Sequence, residues 1–180
     1  MNNQQNQTAH LAKMAMLVAI SIVLVMLIHF PIFPAVAFLE YDPADIPILI
    51  GTFAFGPAAG LLLTVVTSVL QGVTVSSASG LYGIIMHIIA TCVLTLVAGI
   101  IYRRHKTKKV AVIGLVAGSC AMALVMVGAN MLITPIFMGV DQAVVWQLMP
   151  FIFGFNLVKA GINSVVTFLL YKRISPFLHR

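Results

Sequence analysis

Ile46-Pro47-Ile48-Leu49-Ile50-Gly51-Thr52-Phe53-Ala54-Phe55-Gly56-Pro57-Ala58-Ala59-Gly60-Leu61-Leu62-Leu63-Thr64-Val65-Val66-Thr67-Ser68-Val69-Leu70 is the passage on which the topology turns. Read as one apolar run, it is a single membrane span. Read with a break at Gly56-Pro57, a dipeptide that interrupts regular structure, it is two. The charges elsewhere decide. Lys/Arg-rich loops stay on the cytoplasmic side, and the bases sit at Lys13, in Arg103-Arg104-His105-Lys106-Thr107-Lys108-Lys109, and at Lys172, Arg173 and Arg180. One span here would leave the loop at 103–109 outside. Two spans return it to the inside.

The result is an all-α membrane protein, a bundle of six transmembrane helices with cytoplasmic N- and C-termini. The expected spans are roughly 11–30, 44–55, 57–71, 81–102, 110–134 and 149–171. All four acids then fall outside. Tyr41, Tyr82 and Trp146 mark the outer interface, and Tyr102 and Tyr171 the inner one, as amphipathic rings prefer. The two middle helices are too short for ~30 Å of hydrocarbon. Short helices are tolerated where they line a cavity rather than lipid.

Composition requires the lipid setting. Apolar residues make up 61% of the 180 and charged residues 8%, against about 25% charged in soluble domains. The whole chain is one membrane-embedded domain, with no room for a soluble catalytic one. The net charge of +6 belongs to loops that set orientation, not to a nucleic-acid surface. The runs are continuous, which excludes the alternation of a membrane barrel. The residues up to His10 read as a tail or the start of a first helix. Cleavage after Ala35-Val36-Ala37 as a signal peptide is the weaker alternative, because the preceding apolar run is long. Pro31 and Pro34 close the first run, Gly72 to Gly80 reads as a loop, and Pro135 stops the fifth run. Cys92 and Cys120 lie within apolar runs and read as core residues.

The strongest chemical signal is in the sixth run. Asn156, Lys159 and Asn163 share one helical face. Lys159 lies midway along the run, where a charge costs roughly 2.5–3.5 kcal/mol and therefore faces the interior with a partner. It either contacts a ligand or pairs with Asp45, Asp42 or Glu40. Asn156 and Asn163 are each either a ligand contact or helix–helix packing. The segment 38–47, rich in acids and prolines, supplies Glu40, Asp42 and Asp45 as candidate contacts, with capping of the next helix as the alternative for Asp45. His87 and Asn130 are the remaining polar candidates within spans, with hydrogen-bonded structure as the alternative for a lone buried histidine. Thr64, Thr67 and Ser68 satisfy their own backbone or line the pocket. No catalytic residue and no metal site emerge: the histidines are scattered and no nucleotide-binding or hydrolase motif is present.

Small residues form two stripes. Ala12, Ala15 and Ala19 in the first helix let another helix approach closely, either within the bundle or from a partner protein. Gly114, Ala117, Gly118 and Ala121 do the same in the fifth.

Three segments together resemble the substrate-binding S components of energy-coupling factor (ECF) vitamin transporters, and most closely their riboflavin-type branch. They are Leu39-Glu40-Tyr41-Asp42-Pro43-Ala44-Asp45-Ile46-Pro47, Phe55-Gly56-Pro57-Ala58-Ala59-Gly60 and Phe155-Asn156-Leu157-Val158-Lys159-Ala160-Gly161. Gly154 stands where the family has proline, and Ala160 is inserted before the glycine. Thr67-Ser68 and His87 replace Lys-Asn and Asn. The pocket is therefore retuned, and pantothenate, hydroxymethylpyrimidine or a pyridoxine-like solute stands beside riboflavin as the expected ligand. The resemblance implies a multi-pass protein of a prokaryotic plasma membrane that binds its vitamin tightly from outside. It further implies docking through Ala12, Ala15 and Ala19 to a transmembrane coupling subunit. Two cytosolic ATPases would use the ATP, and this chain would hold no cofactor and be no enzyme.

The rival reading is a stand-alone ion-coupled secondary transporter. It needs carboxylates at membrane depth, and the outward placement of the acids argues against it. No internal repeat supports it either. A structural scaffold would bind no solute, and an intramembrane enzyme would need a nucleophile–base pair that is not visible.

Overall fold

The computed structural model describes residues 3–178; Met1, Asn2, and the basic Arg180 invoked for orientation lie outside the described residues. Six helices follow in order: α1 (Asn3–Leu27), α2 (Asp45–Phe55), α3 (Pro57–Val73), α4 (Gly80–Arg104), α5 (Lys108–Met138) and α6 (Gln142–Leu178). Between α1 and α2 the chain forms a small antiparallel hairpin. Its strands β1 (Phe30–Pro31) and β2 (Glu40–Tyr41) pair Phe30 with Tyr41 and Pro31 with Glu40.

The break at Gly56 is real. Its φ of +99° is open to glycine and strained for other residues. Gly56 N–H donates to Thr52 O at 2.9 Å and ends α2, and Gly60 N–H donates to Gly56 O at 3.1 Å and starts α3. Pro57 occupies the first helical position, where its missing N–H is not needed. The two helices then fold back so closely that a Cβ on Gly60 would collide with the Thr52 side chain.

Ring contacts show how the helices run. His10 of α1 packs on Phe55 at the end of α2, and Phe53 packs on Tyr102 of α4 and Tyr171 of α6. At the opposite end Gln71 of α3 reaches Asp42, and Tyr82 of α4 reaches Thr134 of α5. The chain thus passes between the two ends six times, in alternating directions, and α1 begins where α6 ends. This terminal end also carries the basic turn between α4 and α5, where Thr107 Oγ1 accepts from Val110 N–H and caps α5. Among the described residues four helices are long and apolar enough to cross a bilayer, and α2 and α3 are the short ones. The perimeter is apolar, with Ile20, Leu62, Ile113, Leu132 and Val165 turned outward.

The chain departs from several expectations. Pro135 does not stop α5: it lies inside the last turn, its carbonyl accepts from Val140, and Gly139 ends the helix at φ +65°. The sixth helix begins at Gln142, ahead of the expected 149, and passes through Pro150. The expected loop 72–80 is partly helical, since α3 runs to Val73 and Ser77–Ser79 form a single 3₁₀ turn. Cys120 faces outward rather than into the core, and Cys92 is half-buried. The stripe Gly114/Gly118 is internal packing, and a Cβ at either would press on the backbone of Ala98 or Leu94 in α4.

The placement of the acids is corrected most. Helix α2 has 11 residues, which spans only about 16 Å at 1.5 Å per residue. Because it ends at the terminal end, its N-terminus lies inside the bundle. Asp45 and the preceding Asp42 are buried there instead of lying at the outer surface. All of α2 from Asp45 to Phe53 is enclosed by protein, which is what allows so short a helix at membrane depth.

Candidate functional site: a polar-walled chamber

Above the N-terminus of α2 lies an open chamber. A polar arc made of Asn156, Lys159, Asp42, Gln71, Ser68 and His87 forms part of its wall. Phe38, Leu39, Met86, Met122, Met126 and Phe155 form the apolar part. Ligand pockets commonly combine such an apolar lining with a few placed polar groups.

Helices α2 and α6 run in the same direction, and one register sets the floor. Tyr171 O–H donates to Phe53 O, and eight residues earlier on each helix Asn163 Nδ2 donates to Asp45 Oδ2 at 3.1 Å. Asn163 also donates to Asp42 O and accepts from Tyr41 O–H at 3.0 Å. The same amide therefore ties β2, the loop and α2 to α6. One turn earlier, Lys159 Nζ donates to Asp42 Oδ2 at 2.7 Å. Gln71 Nε2 shares that oxygen at 3.3 Å, and Ala44 N–H donates to Asp42 Oδ1. Burial pushes the Asp42 carboxyl up, but the Lys159 ammonium, with His87 and the hydrogen bonds from Lys159 and the Ala44 N–H, outweighs it and holds the group down at about 2.

The sequence candidates separate into two layers. Lys159, Asn156, Asp42, His87 and Glu40 reach the chamber wall. Glu40 meets His29 at 2.8 Å at the mouth and leaves Lys159 to Asp42. Asp45 is fully buried behind the wall, where its carboxylate accepts from Thr91 and Asn163. It does not cap α2 through its side chain, since the capping position is Ala44 and makes no such bond. Asn130 is not brought to the chamber. Its amide donates to Met126 O and accepts from Thr134, both one turn away on α5. Thr64 and Ser68 bond back to their own helix, and Ser68 also meets His87 Nδ1 at 2.7 Å. Ala12, Ala15 and Ala19 are exposed on α1, turned away from the bundle.

Gln71 and Tyr41 escaped the sequence reading. Gln71 continues the stripe Thr64, Ser68, Gln71 at i, i+4 and i+7, a signal that its place at a helix end obscured. Tyr41 looked interfacial, and its hydroxyl is instead consumed inside the bundle.

Comparison with known proteins agrees with this architecture. The family model "ECF transporter, substrate-specific component" matches residues 9–171. The chain is 31% identical over 191 aligned residues to the riboflavin transporter RibU of Staphylococcus aureus (strain TCH60), covering 100% of this chain and 96% of that protein. It is 28% identical to the riboflavin transporter FmnP of Bacillus subtilis (strain 168), covering 94% of each. A solved structure described as "Structure and mechanism of the S component of a bacterial ECF transporter" superposes with a TM-score of 0.82 at 30% identity, covering 97% of this chain and 99% of that one. The chain is therefore a multi-pass plasma-membrane transport component and not an enzyme; it belongs to the substrate-specific S components of ECF transporters.

Proposed function

We propose that this S component captures riboflavin from outside the cell and delivers it to an ECF module made of a transmembrane coupling subunit and two ATPases. The observation that carries the ligand choice is the pairing of Lys159 with Asp42. A free buried ammonium would favour an anionic vitamin such as pantothenate. Here the charge is already compensated. With Asp45 counted, the floor has two carboxylates against one lysine and His87, so neither protonation state of His87 gives a positive excess. A neutral solute fits that balance, and an anionic one finds no surplus positive charge to compensate its burial. The broad apolar wall suits a fused aromatic ring system. The two similar transporters named for riboflavin support the same reading.

The basic turn between α4 and α5 lies at the terminal end, away from the chamber. The positive-inside rule then turns the chamber outward. Acid placement no longer argues against an ion-coupled transporter, since Asp42 and Asp45 are inside the bundle. Both are nevertheless fully engaged by protein donors, and membership of the family favours the ECF assembly.

The test is titration of ligand-stripped protein with riboflavin and with pantothenate, read by quenching of flavin emission and by competition. Tight, saturable riboflavin binding that pantothenate does not displace is expected. Preferential binding of pantothenate would overturn the reading. Uptake into liposomes by the chain alone would favour the ion-coupled alternative.

A further inference from the structure

A second open pocket lies at the terminal end, between the turn joining α2 to α3 and the end of α4. Phe53, Phe55, Pro57 and Tyr102 form part of its wall, and Arg103 and Lys106 bring positive charge to it. It shares no lining residue with the chamber.

Side-chain charge around this pocket is of one sign. The four acids of the chain are Glu40 at the chamber mouth, Asp42 and Asp45 inside the bundle, and Asp141 in the turn between α5 and α6 at the opposite end. Arg103, Arg104, Lys106, Lys108 and Lys109 therefore crowd the turn between α4 and α5 with no carboxylate side chain beside them, and all five are exposed. Membrane orientation needs only the charge of such a turn. It does not need two of the bases to share a pocket with aromatic and proline rings. Arginine offers a planar fork to phosphate oxygens, and lysine adds a compact charge.

The apolar surroundings say what carries the anion. Ala58 lines the pocket, and Leu62, one turn further along α3, is exposed. Ile100 stands one turn before Arg103 on the same side of α4 and is also exposed. Two apolar paths thus lead from the pocket along the outside of α3 and α4 to the level of the acyl chains. We infer that this pocket seats the phosphate headgroup of an anionic phospholipid of the inner leaflet, with the acyl chains lying along α3 and α4. Basic pockets between spans on the cytoplasmic side suit such headgroups. A soluble anion would use the bases alone, whereas an amphiphile uses the bases and both paths.

The test uses the full chain in neutral detergent, stripped of lipid, with phosphatidylglycerol, phosphatidylcholine and glycerol phosphate as probes. Native mass spectrometry reads the bound lipid. One phosphatidylglycerol per chain is expected, held at least 10-fold more tightly than phosphatidylcholine and not displaced by glycerol phosphate. Arg103→Gln/Lys106→Gln should weaken phosphatidylglycerol at least 10-fold, since each base near an anionic headgroup contributes about fivefold. Arg104→Gln/Lys109→Gln removes the same charge from the same turn but outside the pocket, and should weaken it no more than about threefold. Equal losses in the two variants would overturn the pocket in favour of diffuse surface charge. Equal wild-type affinity for the two lipids would overturn it as well. Displacement by glycerol phosphate would give the pocket to a soluble anion. A pocket variant that keeps its lipid but no longer co-purifies with the coupling subunit would give it to that protein. The lipid comparison on wild-type protein decides the matter even where a variant fails to fold.

Discussion

Lys159 Nζ and Asp42 Oδ2 meet at 2.7 Å with both side chains more than nine-tenths buried, although the residues are 117 apart in sequence. Removing one member of such a pair strands the other charge, at a cost of about 3–5 kcal/mol. Lys159→Met is therefore expected to lower the melting temperature of the purified protein sharply. Adding Asp42→Asn should restore most of the stability and none of the ligand binding. A double variant as unstable as the single one would show that the pair does not act as a unit.

The same pair sets a pH dependence. Asp42 is held down at about 2, below the ordinary carboxylate range near 4. A depressed carboxylate contributes stability that is complete above its unfolded value and is lost as pH falls toward the folded one. The melting temperature attributable to this pair should be flat from neutral pH to about pH 4 and fall below it. In the double variant Lys159→Met/Asp42→Asn the acid limb should be shallower, as measured by thermal unfolding across pH.

Close packing of α4 on α5 gives a paired test. A Cβ at Gly118 would stand 2.8 Å from Leu94 O, whereas at Gly128 it would meet nothing within 4 Å. Gly118→Val should cost about 1–3 kcal/mol through overpacking. Gly128→Ala should be neutral or stabilising by roughly 0.5–1 kcal/mol through helix propensity. Thermal unfolding of the two variants side by side reads the difference.

The outward face of α1 predicts a separation of functions. Ala15 and Ala19 are exposed and take no part in the chamber. Ala15→Val/Ala19→Val should leave riboflavin affinity within about twofold while reducing co-purification of the coupling subunit at least 10-fold, because close helix approach needs small residues. Loss of both properties together would point to a damaged bundle instead.

At the mouth, His29 and Glu40 join the end of α1 to β2 at 2.8 Å. Exposed pairs contribute about 0.2–1 kcal/mol. Glu40→Gln should therefore speed ligand dissociation by no more than about fivefold, measured by stopped-flow displacement. A hundredfold change would mean that Glu40 touches the ligand.

Much of the fold was legible because lipid imposes long apolar runs and loop charge fixes their direction. Gly56-Pro57 marked its break for a backbone reason that neighbours cannot override. Pro135 misled because a proline near a helix C-terminus disturbs only the preceding turn, and Gly139 supplies the true end. In the site, Lys159 was legible through the expense of its charge. Asp42 could not be chosen over Asp45 or Glu40, since the choice depends on how far α2 rises, a quantity set by packing against α6. Gln71 was hidden because a glutamine near a helix end has an ordinary solvated explanation.

Phe53, Tyr102 and Tyr171 interlock beneath the polar floor, with Leu49 and Leu94 fully enclosed above them. The vessel thus has a mouth and a stoppered base. A base packed in this way predicts that emptying into the cell requires moving the whole cup or prying its lip rather than opening a drain. Planar-bilayer recordings of the chain alone should be electrically silent.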